Sequence, residues 1–250
     1  MLNLYAFRSV CLVTHLAALL AGFAVAAFAA SAPTSDRARQ IGYQRAVVFD
    51  ERLSALRTQP DVKARLLYRL RRGRVVWIIK AARNRADGAR FFRVTVTRRT
   101  RGWILAEALL RRGHLKDAER AIKLIEETRD NFARVQLARL CADESRNAAV
   151  APRALLLLGQ AAEAAAAHLS REAKRRIGTP ESNGELSRRQ LWLNYHGLDR
   201  YNRLGITFDY AAASDQLVYD GGAYRELLRK YPRCAEADEA RERLQSLGKL

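Results

Sequence analysis

Between Arg45 and Leu109 short apolar runs alternate with turn signals. "RAVVF" is β-branched, "RLLYRL" is a short apolar run, "RVVWIIK" is strongly apolar, and "FRVTVT" alternates with period two, all as strands do. Gln59-Pro60-Asp61, Arg72-Gly73, Ala86-Asp87-Gly88 and Arg101-Gly102 separate them as turns. About five short strands in this space fit a small β-barrel. Alternation puts Phe92, Val94 and Val96 on one face and Arg93, Thr95 and Thr97 on the other.

From Ala106 the rhythm changes. "AEALLRRGHLKDAERAIKLIEETRDNFARVQLARLCADE" spaces Ala and Leu by three and four, as on amphipathic helices, with Gly113 expected between two of them. "APRALLLLGQAAEAAAAHLSREAKRRIG" predicts a further helix, with Pro152 in its first turn and Gly178 at its end. "TPESNG" reads as a loop, and "ELSRRQLWLNYHGLDRYNRLG" as partly helical. Ile206, Phe208 and Tyr210 alternate before a small polar turn and Leu217-Val218-Tyr219, which predicts a hairpin. "AYRELLRKYPRCAEADEARERLQSL" closes the described pattern as two helices broken at Pro232. The fold expected is α+β: a small barrel over 45–110, then an α-helical, repeat-like domain with one hairpin over 111–250.

The first 29 residues stand apart from fold reasoning. Arg8 precedes an uncharged apolar stretch, and Ala27-Phe28-Ala29 is a small-x-small cleavage signal with Ala30 as the first mature residue. A cut after Ala32 would set Pro33 beside the scissile bond. The pattern fits a secretory signal peptide. An uncleaved anchor is the alternative, because the run approaches the roughly 20 residues that span a bilayer. Both place the rest outside the cytoplasm, in the periplasm or beyond. Residues 30–44 read as a small, polar linker. Cys11 does not sit where a lipidated cysteine would, since most of the apolar run follows it.

Charge sharpens this picture. The chain carries a formal charge of +19. Residues 30–111 hold 20 basic and 6 acidic residues, against 24 and 20 in residues 112–250. The basicity thus belongs to the strand-rich part. Cys141 and Cys234 are able to pair in an oxidising compartment or to remain free thiols, and their spacing matches no metal motif. His114, His168 and His196 are too scattered for a ligand set, and no Gly-rich phosphate loop or G-x-S-x-G occurs. Neither a metal nor a cofactor is expected, and the chain is read as non-catalytic.

"LSALRTQPDVKARLLYRLRRGRVVWIIK" followed by "DGARFFRVTVTRRTRGWILAEAL" resembles the bacterial SH3-like (SH3b) domain. Leu53–Arg57, Pro60, Leu70, Gly73, Val76, Gly102, Trp103, Ile104 and Leu109 occupy its spaced positions. The sequence departs from that pattern in its density of Arg, and has Leu-Arg-Thr-Gln where many members have Arg-Ser-Gly. "GHLKDAERAIKLIEE" and "YRELLRKYPRCAEADEARERL" resemble tetratricopeptide-like repeats more loosely, without a clean repeat period. The first resemblance implies a barrel with Trp103 bordering a ligand groove, and the second implies a protein-binding helical domain.

Candidate binding residues are Arg71, Arg72 and Arg74 in "RLRRGR", and Arg98, Arg99, Arg101 and Trp103 around "RRTRGW". The planar guanidinium bonds carboxylate and phosphate bidentately, although a charge run is also an ordinary solvated face. Trp77 is expected in the core, and core packing is also read ahead of ligand stacking for Trp103. Trp192, Tyr195, Tyr201, Phe208, Tyr210, Tyr219, Tyr224 and Tyr231 are expected mostly in the core of the last subdomain. Together these features predict an exported binding or scaffold protein of the bacterial envelope. Its basic module would take an anionic wall component or acidic peptide, and its helices a protein. The alternatives are an accessory of a cell-wall hydrolase and a binder of anionic lipid or nucleic acid. Nucleic acid ranks below the envelope ligands because export removes it, and a membrane enters only through an uncleaved N-terminal anchor.

Overall fold

The computed structural model describes residues 43–145, 149–177 and 187–249, so the expected signal segment, most of the linker, Gly178 and "TPESNG" lie outside the described residues. The strands come first: β1 (Gln44–Val48), β2 (Ala55–Arg57), β3 (Leu66–Arg69), β4 (Val75–Arg83), β5 (Arg90–Thr95), β6 (Arg101–Leu105) and β7 (Leu109–Arg111). They form one antiparallel sheet in the order β3-β2-β6-β5-β4-β1-β7.

The pairing is open. β3 and β7 end the order and do not pair with each other among the described residues, so the expected closed barrel is not formed. Both edge strands are short, and every residue of β3 is exposed. The sheet still folds over on itself. Leu56 of β2 and Leu109 of β7, from opposite regions of the order, share one core with Ala46, Val48, Val76, Val94 and Ile104. A 3-10 turn at Glu51–Leu53 meets a second at Ala106–Ala108 across this core.

β1 explains how the strands join the helices. Its alternate residues Ala46 and Val48 enter the sheet core, while Val47 and Phe49 enter the helical core. A strand buried on both faces needs a continuous apolar run, which "RAVVF" supplies. β7 works the same way, with Leu109 facing inward and Leu110 facing the helices. The expectation of helix from Ala106 is therefore corrected. Residues 109–111 pair with β1, Gly113 turns the chain at φ +73°, and helix begins only at Leu115. In "AEALL" Ala106–Ala108 form the 3-10 turn, and Leu109 and Leu110 serve two opposed faces of a strand rather than one face of a helix.

The helices are α1 (Leu115–Glu127), α2 (Asn131–Glu144), α3 (Ala151–Ile177), α4 (Arg188–Leu193), α5 (Asp199–Asn202), α6 (Gly222–Lys230) and α7 (Ala237–Ser246). Asp130 caps α2 by accepting from the Ala133 N–H at 2.7 Å. Ser187 and Gln190 form a reciprocal capping box on α4. α3 is the central rod. Leu155 to Leu158 are all buried, the signature of a helix covered on every side. α2, α6, α7 and the hairpin of β8 (Phe208–Ala211) and β9 (Gln216–Tyr219) surround it in the helical core. Its small residues permit close approach. A methyl group on Gly159 would lie 2.2 Å from the Tyr224 ring. Ser170 accepts from the Leu217 N–H at 2.8 Å and so ties β9 to α3.

Trp77 is buried as expected, and so are Trp192, Tyr195, Tyr201, Phe208, Tyr219 and Tyr224. Tyr210 and Tyr231 are half-buried. Asp215 turns the β8–β9 hairpin at φ +49°, and its carboxylate accepts from both Arg188 and Tyr210. The Arg188 hydrogen bonds bring that carboxyl down to about 2.

Polar ties lock the sheet to the helices. Arg111 donates to Asp117 from Nε at 2.7 Å, from Nη2 at 3.1 Å and from its backbone N–H at 3.2 Å. Arg120 adds a 3.4 Å contact to the same carboxylate. Burial would raise the Asp117 pKa, but the Arg111 hydrogen bonds and charge outweigh it and hold the carboxyl below its usual range. Arg45 pairs with Glu144 of α2.

Candidate ligand-binding face

Two turns carry the predicted arginines. In the first, Gly73 adopts φ +77° and donates to the Val48 carbonyl at 2.8 Å, leaving Arg71 and Arg74 exposed on either side. In the second, Thr97 Oγ1 accepts from the backbone N–H groups of Arg99 at 3.3 Å and Thr100 at 3.1 Å. That hydroxyl turn holds Arg98 and Arg99 at an exposed tip.

The sheet register places both turns at one end. Trp77 pairs with Thr95, and Thr95 with Arg101. Arg74 thus lies just before β4 where Arg98 lies just after β5. Arg71, Arg74, Arg98, Arg99 and Arg101 are all exposed, and none forms an ion pair among the described residues. Arg72 is different. It is half-buried and donates to Gln136 Oε1 of α2 at 3.0 Å, so it joins sheet to helix rather than facing solvent with the others.

Trp103 is half-buried on the outer face of β6, between buried Gly102 and Ile104. It stands opposite Arg93 on one side and Arg57 on the other. Arg93 in turn faces Lys80, and Arg57 faces Leu66. Lys80, Arg93, Trp103, Arg57 and Leu66 therefore form one row across five strands, basic on both sides of an indole. Arg57 is steadied by a 2.7 Å bond from Nη1 to the Ala64 carbonyl. Gly102 makes the β2–β6 contact possible. A methyl group there would lie 2.6 Å from Leu56 Cγ and 2.9 Å from the Arg57 carbonyl oxygen.

Sequence reasoning missed Arg57, Lys80 and Arg93 as members of this face. Simple alternation in β4 puts Lys80 with Val76 and Ile78, on the core side. A bulge between Ile78 and Lys80 inserts one residue and turns Lys80 outward. Gly102-Trp103 between two Arg-bearing strands was the available signal, but the register was not legible.

Other chemistry is sparse. Cys141 is buried and free, and Cys234 is half-buried and free. Burial pushes the Cys141 thiol up to about 11, away from the reactive thiolate. His114 contacts Asp117 at 3.3 Å, His196 contacts Arg176 at 3.3 Å, and His168 is exposed. Among the described residues no group of His, Cys, Asp and Glu is placed to hold a metal ion, and no helix is long and apolar enough to cross a membrane. Comparisons with protein-family models, curated proteins and solved structures return no match to this chain.

Proposed function

We propose that this is an exported, non-catalytic binding protein of the bacterial envelope, whose strand-rich part holds an anionic wall polymer. One observation carries the reading: Arg71, Arg74, Arg98, Arg99 and Arg101 are exposed at one end of the sheet without ion-pair partners among the described residues. A protein surface normally intersperses both signs, and a one-signed field concentrates and steers polyanions. The outer row through Trp103 extends this field along the sheet.

We read the sheet as an SH3-like module. Leu70, Val76, Ile104 and Leu109, which carry the resemblance, meet in one core with Leu53 packed against it, and Gly73 turns the chain with a positive φ. The helices are assigned to a protein partner on the loose tetratricopeptide-like pattern of residues 113–127 and 224–244. Export rests on the apolar N-terminal segment and its Ala27-Phe28-Ala29 site.

Co-sedimentation of the purified protein with peptidoglycan sacculi tests the ligand. Pelleting at low salt supports the reading, and a protein that stays in the supernatant contradicts it. N-terminal sequencing of the protein from an envelope fraction tests export, with Ala30 as the expected first residue.

A further inference from the structure

β4 and β5 run away from the arginine turns for roughly 30 Å, taking about 3.3 Å per residue from Arg74 to Arg83. At that far end Arg83 stands directly opposite Arg90. Like charges so placed destabilise a ladder unless something lies between them. Arg83 forms no ion pair among the described residues, and the partner of Arg90 is Glu107 at 3.4 Å across an exposed surface.

Beside this pair lies a cavity of about 380 Å³. Phe91, Phe92 and three alanines supply its apolar wall. Arg111, Asp117 and Arg120 supply the wall nearest α1. There the single carboxylate is already taken up by Arg111, and the Arg120 Nη2 donates to the Leu109 carbonyl at 2.9 Å. The Arg111 guanidinium also lies 5.2 Å from the centre of the Phe92 ring, which fixes that ring as a wall. The cavity therefore has one apolar wall, four arginines against one aspartate among its lining residues, and a rigid ion-paired knot on its α1 side. Its size falls within the range of small-molecule sites.

We propose that this cavity binds a small amphipathic anion: a phosphate monoester or carboxylate on a flat apolar body, with the anionic head between Arg83 and Arg90 and the body against Ala81 and the Phe92 ring, which share their face of the ladder. The head group offsets the repulsion that the Arg83–Arg90 pair otherwise carries. The body replaces water on the aromatic wall. Neither part alone meets both walls, so binding requires the two on one molecule. This site is separate from the polymer-binding end of the sheet and stands without it.

Calorimetric titration of the purified full chain tests it, with 1-naphthyl phosphate, 2-naphthoate, inorganic phosphate and 1-naphthol as probes. At least one naphthyl anion is expected to saturate one site per chain, at least about tenfold more tightly than inorganic phosphate or naphthol. An R83Q/R90Q variant, altered only at exposed positions, is expected to lose about tenfold or more of that affinity, while R98Q/R99Q/R101Q stays within about twofold of the parent. The inference is overturned if neither naphthyl anion saturates a site, or if the two variants weaken binding equally, which would mark general attraction to a basic protein.

Discussion

Arg83 and Arg90 face each other across the last rung of the β4–β5 ladder, two like charges at paired positions where an opposite pair would be favourable. Arg90 is answered by Glu107 at 3.4 Å, whereas Arg83 has no ion-pair partner among the described residues, so the unfavourable charge sits with Arg83. Arg83→Gln is therefore expected to stabilise the protein, by about 0.5 kcal/mol at low ionic strength. The gain should shrink in molar salt, which screens exposed charges within a few ångströms. Thermal melts of parent and variant at two salt concentrations check this. Equal melting temperatures at low salt would show that the pair carries no repulsion.

Gly102 sets the spacing between β2 and β6 and so the place of Trp103 beside Arg57. Gly102→Ala would force its methyl group against Leu56 Cγ and the Arg57 carbonyl. Overpacking of this kind costs about 2 kcal/mol. A lower urea midpoint, with Trp emission shifted toward the solvent-exposed range, is the expected outcome.

Asp117 is the buried carboxylate that holds β7 to α1. Its folded pKa lies below 3.8, so the stability it contributes is present above that pH and is lost as pH falls through the folded value. Asp117→Asn leaves Arg111 without its counter-charge and should cost about 3 kcal/mol at neutral pH. The gap between parent and variant should narrow below the carboxylate range. Urea midpoints measured at neutral pH and below pH 3.8 follow both parts of the prediction.

Gly159 carries the same steric argument into the helical core, where α3 lies against the Tyr224 ring. Tyr224 is fully buried and donates to Glu163, so it has no room to withdraw. Gly159→Ala should destabilise by about 2 kcal/mol despite its better helix propensity. A variant at least as stable as the parent would mean that the ring moves freely.

Much of the architecture was legible because local rules and tertiary packing agreed. "FRVTVT" alternates, and Val94 and Val96 are buried while Arg93 is exposed, although Thr95 on the Arg93 face is buried too and Phe92 is only half-buried. The Ala-rich helix, the hairpin around residues 208–219 and the break at Pro232 fall where the pattern puts them. Failures came where one residue changes the meaning of its neighbours. The bulge after Ile78 turns Lys80 outward, and Gly113 ends a strand rather than dividing two helices. Closure of the barrel depended on β3 meeting β7, a contact between distant segments that no local spacing encodes. The two arginine turns were visible as composition. Their arrival at one end of the sheet, and the diversion of Arg72 to Gln136, required the register.

The central claim is that the exposed arginines at one end of the sheet bind an anionic wall polymer. The most direct test is co-sedimentation of the parent and an R71Q/R74Q/R98Q/R99Q/R101Q variant with peptidoglycan sacculi across a salt series. The parent is expected to pellet at low salt and to be released as the salt rises past about 0.1 M, where the Debye length falls to about 10 Å, while the variant stays soluble throughout. Pelleting of the variant to the same extent as the parent would contradict it.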